Sequence, residues 1–187
     1  MKGDVVKSKD TKELLKNSLI ELAKKKTIDK ITIKQVSENA GVTSQTFYNH
    51  FSDKYDMVHW AYKKRVDEIF EKYKNGEIGW KELLDAFLCG YEKNSRFILN
   101  AFNNTYGEDS YAAKTGNYLC QSIDNELKRR LGVDELDEEL SVLTKIYVSG
   151  IINIIAYWLN EGRDIDKDKL IDYIDESMPG KIREIIY

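Results

Sequence analysis

A chain of 187 residues with 42% apolar content is long enough to bury a core and too apolar to be disordered. Its net charge of -3 conceals an imbalance: residues 1–65 hold 14 Lys and Arg against 8 Asp and Glu, and the rest hold 15 against 24. Only the first third has the sign that suits a polyanion. A single proline, Pro179, and few β-branched clusters leave helical periodicity uninterrupted, so the expected fold is all-α.

The N-terminal stretch "MKGDVVKSKDTKELL" lacks the apolar segment of a secretory signal. "DTKELLKNSLIELAKKKT" follows as a first helix, capped at Asp10 or Thr11, with Leu14, Leu15, Ile20, Leu22 and Ala23 at helical spacing and lysines at its end. "DKITIKQVSENAGV" reads as a short second helix, with Thr32 as N-cap, Ile33, Val36 and Ala40 inward, and Gly41 as the stop. Ser44 then caps a third helix running through Phe51, and the tight turn between the two carries Gly41 and Val42: helix-turn-helix spacing. Ser52 or Asp53 caps a long fourth helix that ends at Asn75-Gly76, with Met57, Val58, Ala61, Tyr62, Ile69 and Phe70 forming its apolar stripe. Further helices are expected near 79–92, 95–106, 110–131, 137–162 and 166–186. The domains expected are therefore a head, residues 1–52, and a helical regulatory and dimerisation body, residues 53–187.

The segment "GVTSQTFYNHF" concentrates hydrogen-bonding side chains and contains no carboxylate or lysine. The major groove shows each base pair as a pattern of donors and acceptors that amides and hydroxyls match without repulsion. At 100° per residue, Phe47 and Phe51 share one face, leaving Ser44, Gln45, Tyr48 and Asn49 outward. Gln45 and Asn49 are the expected base contacts, with Tyr48 and His50 on phosphates or thymine methyls and Thr43 in the same polar run. Thr32, Lys34, Lys54 and the free amides that start the second and fourth helices suit phosphate oxygens. A plain polar surface helix is the bland alternative, but such helices usually carry Glu and Lys.

"ITIKQVSENAGVTSQTFYNHFSDKYDMV" resembles the DNA-binding segment of the TetR family of transcriptional regulators, in its Thr-led second helix, its Ala-Gly-Val turn, its Thr-Phe-Tyr-x-His-Phe third helix and the following Lys. The resemblance covers about residues 10–60 and implies a helical homodimer on a palindromic operator of double-stranded DNA. It carries over DNA contacts to Thr32, Lys34, Ser44, Gln45, Thr46, Tyr48, Asn49, His50 and Lys54. "IYVSGIINIIAYWLNEGRDIDKDKLIDYI" is similar to the C-terminal part of a subset related to dihydroxyacetone kinase regulators, some of which activate or bind a protein partner.

In the body, Phe102, Tyr106, Tyr118, Tyr147, Asn153 and Trp158 are candidates for an effector pocket, against the alternative that they are core. Leu140, Leu143, Tyr147, Gly150, Ile151, Ile154 and Trp158 recur at three- and four-residue steps, a pattern that fits a helix interface between copies as well as packing within one chain. "IYVSGIINIIAYWL" is read as a buried helix too short to cross a bilayer, and a cytoplasmic protein is expected. Cys89 and Cys120 lack metal-ligand spacing, and His50 and His59 have no nucleophile beside them, so neither catalysis, a metal nor a cofactor is expected. The function expected is DNA-binding repression controlled by a small-molecule effector; the alternative is the same fold controlled by a protein partner.

Overall fold

The computed structural model describes residues 2–105, 107–108, 110–161 and 164–187, with side chains from residue 11 onward. Among these, ten α-helices, one 3-10 turn and no strand are present. The first, α1 (Lys2–Ala23), starts well before the cap expected at Asp10 or Thr11. It buries Leu15, Leu19 and Ala23, four residues apart and therefore on one face, and leaves Leu14 outside. Lys24, Lys25 and Lys26 lie beyond its last turn, before the 3-10 turn Ile28–Lys30.

Helices α2 (Ile33–Asn39) and α3 (Ser44–Tyr48) follow, and α4 (Lys54–Lys74) runs from them into the body. Buried Val58, Tyr62, Val66, Phe70 and Tyr73, with Met57 beside the first, repeat at three- and four-residue steps along α4, which packs against α1 and two body helices. The body comprises α5 (Trp80–Lys93), α6 (Ser95–Asn103), α7 (Tyr111–Leu131), α8 (Glu138–Asn160), α9 (Lys167–Glu176) and α10 (Gly180–Ile186). The single helix expected over 166–186 is two: α9 stops at Glu176, and Pro179, which has no N–H to continue a helix, caps α10. That break lets α10 pack onto α7 and α8. There Glu126, fully buried, accepts from both Arg129 (2.7 and 2.8 Å) and Arg130 (2.8 Å), while Arg130 also donates to the Ile186 carbonyl at 2.7 Å. Burial alone would raise the Glu126 pKa; the two guanidinium groups outweigh it and hold the carboxyl below its usual range.

One buried cluster extends from Leu15 to Ile186 without a break at residues 52 and 53, so head and body share a core. By length and composition alone the 23 residues of α8 are enough to cross a membrane, but, as expected of its apolar stretch, it is a helix of the bundle. Its apolarity serves two faces: Thr144, Tyr147, Val148, Ile151, Ile155 and Trp158 are buried within the bundle, while Val142, Ile146 and Tyr157 are exposed.

A second link between head and body runs through α6. The Asn100 side chain accepts from the Ile28 N–H at 2.9 Å and donates to the Lys26 carbonyl at 3.1 Å, clasping the loop after α1. Asn100→Ala removes both partners and leaves the Ile28 amide unsatisfied, so urea unfolding is expected to show a loss of about 1–3 kcal/mol with an unchanged m value.

Candidate nucleic-acid interface

A five-residue helix is too short to persist in water, so α3 must be held by what surrounds it. Three devices hold it. Thr43, not Ser44, is its N-cap: the hydroxyl accepts from the Thr46 N–H at 3.1 Å and meets the Thr46 hydroxyl at 2.9 Å. Gly41, at φ +70, makes the turn from α2, and the Val42 N–H closes it on the Ser37 carbonyl at 2.9 Å. Phe47, completely buried, packs against Phe51 with ring centres 5.8 Å apart, and Phe51 against Trp60 at 5.5 Å. The helix ends at Tyr48 rather than continuing to Phe51: the His50 N–H turns to the Phe47 carbonyl at 2.9 Å, an i→i−3 bond that tightens the last turn.

The outer face carries Gln45, Tyr48 and Asn49, all exposed, with Ser44, Thr46 and His50 half-buried at its margins. Gln45 Nε2 donates to Asn49 Oδ1 at 3.1 Å, so the two amides are oriented by each other and no carboxylate lies between Val42 and Ser52. A Gln–Asn pair one turn apart presents both donors and acceptors to whatever docks on it.

Helix α2 is fixed by a capping box that the sequence signals through Gln35, three residues after Thr32: the Thr32 hydroxyl accepts from the Gln35 N–H at 3.2 Å and Gln35 Oε1 accepts from the Thr32 N–H at 3.1 Å. Ser18 on α1 donates to the Val36 carbonyl at 2.8 Å and accepts from Asn39 at 3.0 Å, locking α2 to α1. Thr32 and Lys34 face solvent at the start of α2, where Lys34 makes only a loose, exposed pair with Glu38 at 3.8 Å.

Two expectations for phosphate binding change. The Tyr55 and Asp56 amides that begin α4 are already taken by the Asp53 carboxylate at 2.7 and 2.8 Å, which also places a negative charge there. The Lys54 ammonium is turned onto the Asp29 and Ile31 carbonyls at 2.8 and 2.9 Å. Burial lowers the Lys54 pKa, opposed by the charges of Asp29 and Asp53. This lysine joins α4 to the strand of chain leading into α2.

Of the six aromatic and amide candidates for an effector pocket, the five that are described do not surround one cavity. Tyr147 is buried and donates to the Ile174 carbonyl at 3.0 Å, and the Trp158 indole donates to the Ile165 carbonyl at 2.7 Å. Asn153 is exposed on α8 and donates to the Ser149 carbonyl at 2.8 Å; Tyr118 donates to Asp67 at 2.5 Å on the α4–α7 surface. Phe102 stacks edge-on with Tyr111 at 5.1 Å, and Tyr106 lies outside the described residues.

Residues 18–60 match a family model described as bacterial regulatory proteins, tetR family, and residues 79–180 match one described as transcriptional regulator C-terminal region. The chain is 22% identical over 149 residues to the HTH-type transcriptional activator FasR of Mycolicibacterium smegmatis, an alignment spanning 74% of this chain and 67% of that protein. Its structure is similar to the dihydroxyacetone kinase operon activator DhaS, with a TM-score of 0.68, 16% identity and coverage of 95% of this chain and 98% of the other. It is also similar to the fatty acid degradation regulator FadR from Bacillus halodurans, with a TM-score of 0.60, 13% identity and coverage of 92% and 96%. At such identities the structural likeness shows the fold.

Lys54→Met leaves two backbone carbonyls without their donor, and chemical denaturation in the absence of any DNA is expected to show a loss of about 1–3 kcal/mol. Lys34→Ala, which removes only an exposed charge, is expected to stay within about 0.5 kcal/mol of the parent.

Proposed function

The chain belongs to the TetR family of bacterial regulatory proteins, and from that premise we propose that it is a cytoplasmic, sequence-specific regulator that binds a palindromic operator as a homodimer. The observation that carries this reading is the exposed Gln45–Asn49 pair on a helix whose opposite face is anchored by Phe47. Gln45 and Asn49 read base edges; Thr43, Ser44, Thr46, Tyr48 and His50 frame them with phosphate and methyl contacts. Thr32 and Lys34 hold the flanking phosphates. Lys54 acts on DNA by fixing the approach of α2.

The second copy docks on the exposed side of α8. Val142, Ile146, Gly150, Asn153 and Tyr157 lie on that side at steps of three and four residues, Tyr173 of α9 stands beside Gly150, and among the described residues nothing comes within 4 Å of where a Cβ on Gly150 would stand. A helix with a glycine at its centre and apolar groups to either side admits close approach of its own copy. Two heads spaced by such a dimer meet half-sites about 34–36 Å apart or a multiple of it.

Control comes from an effector acting through the body; control by a protein partner is the competing reading. Repression is the sign expected of this architecture when the operator overlaps a promoter, and activation follows when it lies upstream. FasR and DhaS are both named activators, so the operator's position decides the sign.

An operator selected from random duplexes tests the reading by fluorescence anisotropy. Affinity is expected to fall steeply with salt because each phosphate that the protein neutralises releases counterions; a flat response without sequence preference overturns the proposal. Gln45→Ala is expected to cost about 1–3 kcal/mol at one base pair and relax preference there, whereas Lys34→Ala weakens all sequences alike and reduces the salt slope by about 1.

Ile146→Asp places a charge on the proposed dimer face without touching the core. Sedimentation is expected to give a monomer of parental helix content that no longer binds the full palindrome. A variant that remains dimeric excludes this face.

A further inference from the structure

We propose that the cleft between α1, α4, α5 and α6 is the effector site of this chain and that its ligand is a small aromatic monocarboxylate, a refinement that rests on the effector-controlled reading above. Size makes the first argument. The interior of the body, between Leu83, Leu119, Ile123 and Ile152, holds only about 20 Å³, room for a single water. The cleft holds about 180 Å³, comparable with the roughly 150 Å³ apolar cavity that takes up benzene; the hollows beside Tyr118 and Gly150, about 330 and 250 Å³, are larger but more open, the first walled mainly by polar groups and the second lying on the proposed dimer face.

The walls make the second argument. Val58, Phe87, Phe97 and Ile98 form an apolar floor with Tyr62, Tyr91 and Tyr111. Burial pushes the phenol of Tyr91 up to about 12 and raises those of Tyr62 and Tyr111, so all three remain neutral; the buried Tyr62 hydroxyl faces that of Tyr91 and makes no well-formed hydrogen bond among the described residues. A ring fits among these side chains through edge-to-face contacts.

Charge at the mouth makes the third. Lys16, Lys64 and Arg65 line it with Glu68. Lys16 and Lys64 are each already bound to Glu13 at 2.5 Å, and Lys64 also faces Glu68 at 3.6 Å. Arg65 pairs with no carboxylate among the described residues; its guanidinium donates to the Ala86 carbonyl and lies over Gly90, where a Cβ would come within 2.2 Å of its Cζ. Its charge reaches the hydroxyls of Tyr91 and Tyr111. With the lysines neutralised by Glu13 and Glu68, one fork-shaped cation is left over, which matches one carboxylate rather than a multiply charged phosphate.

The cleft's position supplies the regulation. Lys16 and Ile20 belong to α1 of the head, Phe97 and Ile98 to α6 of the body, and Asn100, two residues beyond Ile98, clasps the loop after α1. A ligand here touches both units at once, so its binding energy depends on their relative placement, and operator affinity must change by the same factor in return.

Calorimetry on the full chain with benzoate, benzyl alcohol and hexanoate tests this. Benzoate is expected to bind, with benzyl alcohol, hexanoate and the Arg65→Gln variant each weaker by about tenfold or more. Gly90→Ala, whose new methyl displaces the guanidinium while favouring the helix, is expected to weaken benzoate similarly. Both variants are expected to keep their helix content and their ligand-free operator affinity, and benzoate is expected to shift operator affinity of the parent but not of Arg65→Gln. No binding at millimolar benzoate, equal binding of hexanoate, or undiminished binding by both variants overturns the proposal. If operator binding survives that outcome, the regulator reading stands and only the ligand site falls; if the parent binds benzoate but no operator, the reverse holds.

Discussion

The head depends on the withdrawal of one ring from water. Phe47 is completely buried, packed against Phe51 on a helix that lies on α2, and burial of such a side chain stabilises by about 1.5–3 kcal/mol. For a helix of five residues that anchor exceeds anything the helix gains from its own backbone. Once Phe47 points inward, the geometry of the helix turns Gln45, Tyr48 and Asn49 outward. The Thr43 cap and the Gly41 turn then set the angle of that surface relative to α2. The proposed reading face is thus a by-product of packing, and its polar residues contribute little to stability.

The same economy holds at the joint between head and body. Covalently, α4 is the connection, but Asn100 and Lys54 each use one side chain to hold two backbone groups of the segment from Lys26 to Ile31. Both reach the chain between α1 and α2, one from α6 and one from α4, so that segment is gripped from two sides. A shift of α6 against α4 cannot leave both grips intact. This makes the short loop, rather than the long helix alone, the element through which a change in the body reaches α2 and α3, and the Arg65–Gly90 cleft opens beside it.

The body has been filled by the residues that looked most suited to a ligand. Tyr147 and Trp158 spend their polar atoms on the Ile174 and Ile165 carbonyls, which tie α8 to α9 and to the chain before it. Glu126 and Arg130 close α7 onto the C-terminal residues. A tyrosine whose hydroxyl already has a backbone acceptor is part of the frame, whereas Arg65, which pairs with no carboxylate among the described residues, remains available to a visitor.

Local rules in the sequence determined much of this: Thr32 with Gln35 signals the start of α2, Gly41 its end, Asp53 and Asn75-Gly76 the bounds of α4, and the period of Met57, Val58, Tyr62 and Phe70 its buried face. These rest on contacts three to five residues apart, which a linear reading sees. Pro179 carried the break between α9 and α10 in plain view, and the polar composition of residues 43–50 set the chemistry of α3. The tertiary structure alone decided that Leu14 faces outward, that Lys54 turns to the Asp29 and Ile31 carbonyls, that Asn100 meets Ile28 across 72 residues, and that a cleft walled by aromatic rings lies at the joint beneath Arg65, with Tyr147 and Trp158 packed elsewhere. Helical period says which residues share a face; which neighbour covers that face, and whether any volume is left between them, depends on how all the helices pack at once.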